Sequence, residues 1–279
     1  MILIPLETML LWAGLCFYLY GTAFALGAVR TGSAKALARA RLGALVGAFQ
    51  HSLVLFSFGA RTGRFPVSGA FEAFLFLATV VSLLALILDW YRKLAVLVVG
   101  TLPLAAVTTM LAVTLSLAPS ASPGTPGVLS GWTILHIFIA IGSYGAFAIA
   151  FVAGILYLVE QRSLKQHAST SILGLMPSLE AVARVNVASI AIGAALLAGG
   201  IVVGYLRARQ EFGTGPEWRV DPKIIVSTLT FGVYLAVLLL SARPGFRGRR
   251  TALASVLSFF LVMINFSISL FGSGIHRFR

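Results

Sequence analysis

Eight runs of continuously apolar residues divide the chain, at roughly 6–29, 42–60, 71–89, 94–117, 131–159, 184–206, 223–241 and 251–272. A helix needs about 20 mostly apolar residues to cross a bilayer, and each run comes close to or exceeds that length. The runs are uniformly apolar rather than alternating in-out, so they predict helices and not the strands of a barrel. The first run is too long for a cleavable signal peptide and lacks a basic start. Between the runs lie short polar breaks. Residues 118–131 contain PSASPGTPG and 210–223 read QEFGTGPEWRVDPK, both with the glycine and proline of loops. Residues 161–183 start polar and turn amphipathic, which predicts a segment lying along the membrane face. The expected fold is all-α: a polytopic bundle of eight transmembrane helices, organised as one transmembrane domain over 1–279. No internal repeat of the transporter type is visible.

Composition sharpens this picture. Of 279 residues, 59% are apolar and only 10% charged, against about 25% charged in soluble domains. A soluble fold of this length would have to leave apolar surface in water, so lipid is the expected outer solvent. The single cysteine, Cys16, excludes an intramolecular disulfide and a cysteine-rich metal site; it is expected to be a small buried hydrophobe.

The net charge of +13 would suggest nucleic acid in a soluble protein. Here the basic residues fall in short clusters between apolar runs, and no nucleic-acid partner is expected. Alternate breaks differ in charge. Arg30, Lys35, Arg39, Arg41, Arg92, Lys93, Arg162, Lys165, Arg184, Arg243, Arg247, Arg249 and Arg250 fall on one side. Arg61, Arg64, Arg207, Arg209, Arg219, Lys223, Arg277 and Arg279 fall on the other. The positive-inside rule places the larger set in the cytoplasm and both termini outside, in a bacterial-type inner membrane. The outer side remains basic enough to attract an anionic ligand or lipid headgroups.

The four histidines sort by this topology. His136 follows Trp132 at the outer end of the fifth span, and His276 follows the eighth span on the same side. Two neutral imidazoles approaching from opposite directions can fill both axial positions of a haem iron. Trp132, Phe138, Phe212 and Trp218 offer an aromatic bed for the ring, and Arg61, Arg64, Arg219 and Lys223 offer charges for its propionates. The alternative is that each histidine is an interfacial hydrogen-bonding anchor. Zinc fits less well, because the outer side has no cysteine and few carboxylates. His51 lies mid-span, about 14 Å deep at 1.5 Å per residue, too far to share an iron with the outer pair; it is either a second haem contact or relay, or an interhelical hydrogen bond. His167 is expected to be solvated. Glu72, at the start of the third span, suits the helix dipole and a pairing with Arg61 or Arg64. Gly193, Gly199, Gly200 and Gly204 are expected to permit close helix packing.

Several of these residues are collinear with a known pattern. The chain has His51-Ser52-Leu53, then Gly63-Arg64-Phe65-Pro66-Val67-Ser68 and Phe71-Glu72-Ala73. There follow Trp132-x-x-x-His136, Tyr144, Gly154-x-x-Tyr157-Leu158-x-x-Glu160 and Pro177-Ser178-Leu179-Glu180. The last are Trp218, Asp221-Pro222-Lys223, Gly248-Arg249-Arg250 and Gly274-Ile275-His276. This set resembles the membrane-bound cytochrome c assembly family, the haem-handling CcsA/CcmC type, and within it the shorter HemX-like branch. The resemblance implies a haem b site with His136 and His276 as axial ligands, His51 as a membrane-embedded histidine, and a loop over the ring. The family's tryptophan-rich loop, W-G-x-x-W-x-W-D-P-K-E, falls on residues 214–224. Trp218 and Asp221 are retained, whereas Thr214, Val220 and Ile224 replace two tryptophans and the closing glutamate. The family's second embedded histidine falls near Leu239.

The resemblance implies a haem-handling protein of cytochrome c biogenesis, acting with other assembly proteins. Its HemX-like branch implies instead a regulator of tetrapyrrole synthesis that contacts the glutamyl-tRNA reductase. A transporter or structural subunit without haem is the third reading. The chain shows no phosphate loop, nucleotide fingerprint or nucleophile–base pair, and no independent catalytic activity is expected.

Overall fold

The structure, a computed structural model, describes residues 3–63, 65–67, 69–117, 131–166, 177–213 and 221–271. These form eight long helices: α1 (Pro5–Thr31), α2 (Ala34–Thr62), α3 (Ala70–Arg92), α4 (Ala95–Leu117), α5 (Gly131–Lys165), α6 (Leu179–Phe212), α7 (Pro222–Ser241) and α8 (Arg249–Phe271). A 3-10 turn, Pro244–Phe246, precedes α8. All eight are long and apolar enough to cross a membrane, and the described residues contain no strand. The protein is a polytopic helical membrane protein.

The helices run up and down. The start of α1 meets the end of α2 through Glu7 and Arg61. The start of α2 meets the end of α3 through Arg41 and Asp89. The start of α7 meets the end of α8 through Asn265 Nδ2, which donates to Ser227 Oγ (3.0 Å). The two basic sets therefore lie at opposite ends of the molecule, as far as the described residues carry them. These are called here the Arg92 end and the His136 end. Helices α1–α4 pack as one group and α5–α8 as another, with α5 lying against α3 and α4.

Local sequence sets the boundaries. Gly32 adopts a left-handed conformation (φ 66°) that closes α1, and Ser33 then caps α2 by accepting from the Ala36 N–H (3.3 Å). Ser178 caps α6, and Asp221 with Pro222 starts α7. Close approach explains the α1–α2 contact: a Cβ on Gly43 would lie 2.6 Å from the Gly21 Cα.

Two expectations are corrected, and one helix reaches beyond its apolar run. Helix α2 begins at Ala34, ahead of the run at 42–60; Arg41 on its polar first turns forms a two-pronged bond to Asp89 (2.6 and 3.0 Å). The segment 161–183 is not one surface stretch: its first residues continue α5 and its last begin α6, where Arg184 Nη1 bonds Glu180 Oε1 one turn away (2.8 Å). Residues 167–176, His167 among them, lie outside the described residues. Cys16 is exposed on α1 rather than buried, because α1 turns that face away from α2 and toward lipid.

The core of the second group is built around a stacked pair. The Phe147 and Tyr234 rings lie 3.7 Å apart and nearly parallel, and Gly193 makes room for Phe147. The buried Tyr234 hydroxyl makes no hydrogen bond among the described residues. A buried hydroxyl without a partner costs about 1–3 kcal/mol of desolvation. Tyr234→Phe keeps the stack and removes that cost. We expect its thermal midpoint in detergent to match or exceed that of the parent; a clear fall would reveal a partner for the hydroxyl.

Candidate haem site

His136 stands near the start of α5, half-buried against α6. Its Nδ1 lies 2.9 Å from the Gly200 carbonyl oxygen. An imidazole that donates from Nδ1 carries its lone pair on Nε2, the nitrogen that a haem iron takes. Gly204, one turn beyond Gly200, makes the approach possible: a Cβ there would lie 2.8 Å from the His136 Cε1. Gly200 and Gly204, expected to serve helix packing alone, thus also seat the imidazole. Trp132 precedes His136 by four residues, lies on the same face of α5 and is exposed.

Phe138 does not join this face. Two residues along a helix is a turn of about 200°, and Phe138 packs edge-on against Phe65 (5.4 Å) and Phe76 (5.2 Å) on the α3 side. Of the proposed aromatic bed, Trp132 alone is placed beside His136; Trp218 and the Phe212 side chain lie outside the described residues. The proposed charges also divide. Arg61 is engaged by Glu7, with Nη2–Oε2 at 2.8 Å and Nε–Oε1 at 3.2 Å, and so is held to α1. Arg64 and Arg219 lie outside the described residues, and Lys223 is half-buried beside Asp221. Asp221 is buried and caps α7, its Oδ1 accepting from the Lys223 N–H (2.9 Å). Glu72 is buried and folds back over Gly69 at the start of α3.

His276 lies outside the described residues. The helix that leads to it, α8, ends at Phe271 at the His136 end. Among the described residues no three His, Cys, Asp or Glu side chains gather as a metal ion would require.

His51 occupies a different place. It lies eleven residues before the end of α2, about 16 Å below that end, and is 0% exposed. Its ring fills the space that Gly14 leaves on α1 and meets Tyr18 edge-on at 5.0 Å. Neither ring nitrogen makes a well-aligned hydrogen bond among the described residues, although the Leu11 carbonyl lies beside the ring. The Leu11 carbonyl on α1 is the candidate interhelical partner of this ring, and the enclosing α1 surface would have to part before a ring as large as haem could reach it. Leu239, near where the family places a second embedded histidine, is exposed on α7.

The cytochrome C assembly protein family profile matches residues 67–276, about three quarters of the chain. The chain is a member of the cytochrome c assembly protein family. Curated relatives agree along most of its length. The cytochrome c biogenesis protein CcsA of Synechococcus sp. (strain CC9605) is 25% identical over 297 aligned positions, which cover 98% of this chain and 96% of the relative. CcsA of Guillardia theta is 27% identical, covering 78% and 77%. An uncharacterised 28.8 kDa protein of Azospirillum brasilense is 29% identical over 147 residues, about half of each chain. The family match runs through both the His136 turn and the chain beyond α8.

The Gly204 contact carries an expectation of its own. Gly204→Ala should tilt the imidazole off the Gly200 carbonyl; were His136 an iron ligand, haem affinity should then fall about tenfold, the effect usual for losing a ligand's supporting partner. Titration of purified protein with haem measures it; an unchanged affinity would show that the Gly204 contact plays no part.

Proposed function

We propose that this membrane protein holds haem b at its His136 end and serves cytochrome c assembly, the role for which its CcsA relatives are named. The observation that carries the reading is the bond from His136 Nδ1 to the Gly200 carbonyl. A bond donated from Nδ1 supports the tautomer whose lone pair sits on Nε2. His276, carried beyond the end of α8, is the proposed opposite ligand, and Trp132, Trp218 and the cap at Asp221 border the ring. Haem, when bound, would supply an iron held by His136 and His276. The protein's own residues orient the imidazole, and the preference of Trp for the membrane interface suits a site at headgroup depth. The membrane is proposed to be a bacterial-type inner membrane with both termini outside. Other assembly proteins are the proposed partners, receiving or delivering the haem.

The test is the optical spectrum of the purified protein with and without added haem. A bis-histidine spectrum that develops at one haem per chain is expected. Protein that acquires no such spectrum, yet moves a solute in vesicles, would point to a transporter instead.

A further inference from the structure

The Arg92 end of the first helix group bears a corner unrelated to the haem site. Helix α3 ends in Trp90-Tyr91-Arg92, and Lys93 follows as its cap. Trp90 is 83% and Tyr91 77% exposed, and Arg92 and Lys93 are exposed beside them. Lys35 and Arg39 stand exposed on the first turns of α2 at the same end, with Arg39 over the Phe24 ring at 4.9 Å. The acidic residue that α1–α4 place here is Asp89, and it is taken by Arg41 through two bonds of 2.6 and 3.0 Å. Within α1–α4 the positive field of the corner is thus not cancelled.

The backbone adds a second observation. Lys93 has φ 54°, the one non-glycine residue with positive φ among the described residues. Its N–H bonds the Asp89 carbonyl at 2.8 Å. Glycine would adopt this conformation at no steric cost, whereas a lysine held here projects its ammonium outward at the end of the span. Strain retained at a surface position calls for a role of the side chain itself. Exposed Trp and Tyr beside basic side chains are the groups that settle at the headgroup layer of a bilayer.

We propose that the Trp90–Lys93 corner binds an anionic phospholipid. Arg92 and Lys93 meet the headgroup phosphate, Trp90 and Tyr91 flank its glycerol region, and Lys35 and Arg39 extend the positive field. The partner is identified by charge: a zwitterionic lipid offers the same phosphate but cancels it with its own cation.

Native mass spectrometry of the full-length protein, offered equal phosphatidylglycerol and phosphatidylcholine, tests this. The parent is expected to retain phosphatidylglycerol preferentially. Arg92→Gln with Lys93→Gln should lower that retention roughly 25-fold, since each basic side chain at an anionic surface contributes about a fivefold factor. The charge-matched pair Arg207→Gln with Arg209→Gln, at the opposite end, should lower it far less. Equal retention of the two lipids by the parent overturns the proposal, as does an equal fall in both double variants. Lys93→Gly guards against misfolding, because it relaxes the backbone while removing one charge. It should lower retention about fivefold, and unchanged retention in a folded K93G protein would also overturn the proposal.

Discussion

His136→Ala is expected to abolish the haem spectrum of the purified protein. A supporting partner of a metal ligand contributes 10–100-fold in affinity, and His136 is proposed as the ligand itself, so retained haem should fall by roughly 100-fold or more. The fold should survive. His136 is half-buried near a helix start and meets α6 over glycines, so its removal opens little of the core. A H136A protein with normal melting and no Soret band is the expected result. His276→Ala should weaken haem and shift the spectrum away from bis-histidine. If both variants keep full haem while His51→Gln loses it, the ligand lies mid-membrane and the reading at the His136 end fails.

The second large effect concerns stability. Glu7 is 0% exposed. It accepts from the Ile4 N–H (3.1 Å), from Ser57 Oγ (3.1 Å) and twice from Arg61. Arg61 retains 36% of its exposure. The two partners are therefore not equivalent. Arg61→Ala leaves a carboxylate enclosed without its counter-charge, and breaking a buried pair in this way costs about 3–5 kcal/mol. Glu7→Gln leaves a guanidinium that reaches water, and the amide oxygen can still accept from the Ile4 N–H while its NH2 donates to Ser57 Oγ; about 1 kcal/mol is expected, the scale of a partly exposed pair. Thermal melting in one detergent should rank the parent first, E7Q second and R61A well below. R61A as stable as E7Q would mean that water reaches Glu7. Since this pair ties α1 to α2 at the His136 end, the loss in R61A should be accompanied by faster proteolysis near the start of α1.

The helices were legible because lipid demands continuous apolar runs, and all eight runs became helices. Their ends were less legible where polar residues continue the helix. Ala34–Arg41 reads as a basic loop until Asp89, 48 residues away, is seen to hold Arg41. Glu7 gave no signal beyond an acid near a helix start, because its partner lies 54 residues later. The candidate site divided in the same way. His136 stood out as a titratable group beside a tryptophan at a span end. The role of Gly204 did not, because small residues in membrane helices are common and only the tertiary contact shows which one faces an imidazole. Phe138 was misassigned because nearness in sequence conceals a half-turn of helix. His51 was identified as a buried polar group, but the absence of a well-aligned partner depends on Gly14, which the sequence could not place against it.

Helix α5 has a consequence for how the molecule sits in its bilayer. Its 35 residues make a rod of about 52 Å, against a hydrocarbon layer of about 30 Å and a total of roughly 40–45 Å with headgroups. Such hydrophobic mismatch is relieved by inclining the rod or by letting its ends emerge. His136 lies five residues from one tip, about 8 Å along the axis, within the length that overhangs. Membrane thickness therefore sets how far the proposed ligand stands from water, and a thinner bilayer would lift it toward the aqueous side without any change in the protein's own contacts.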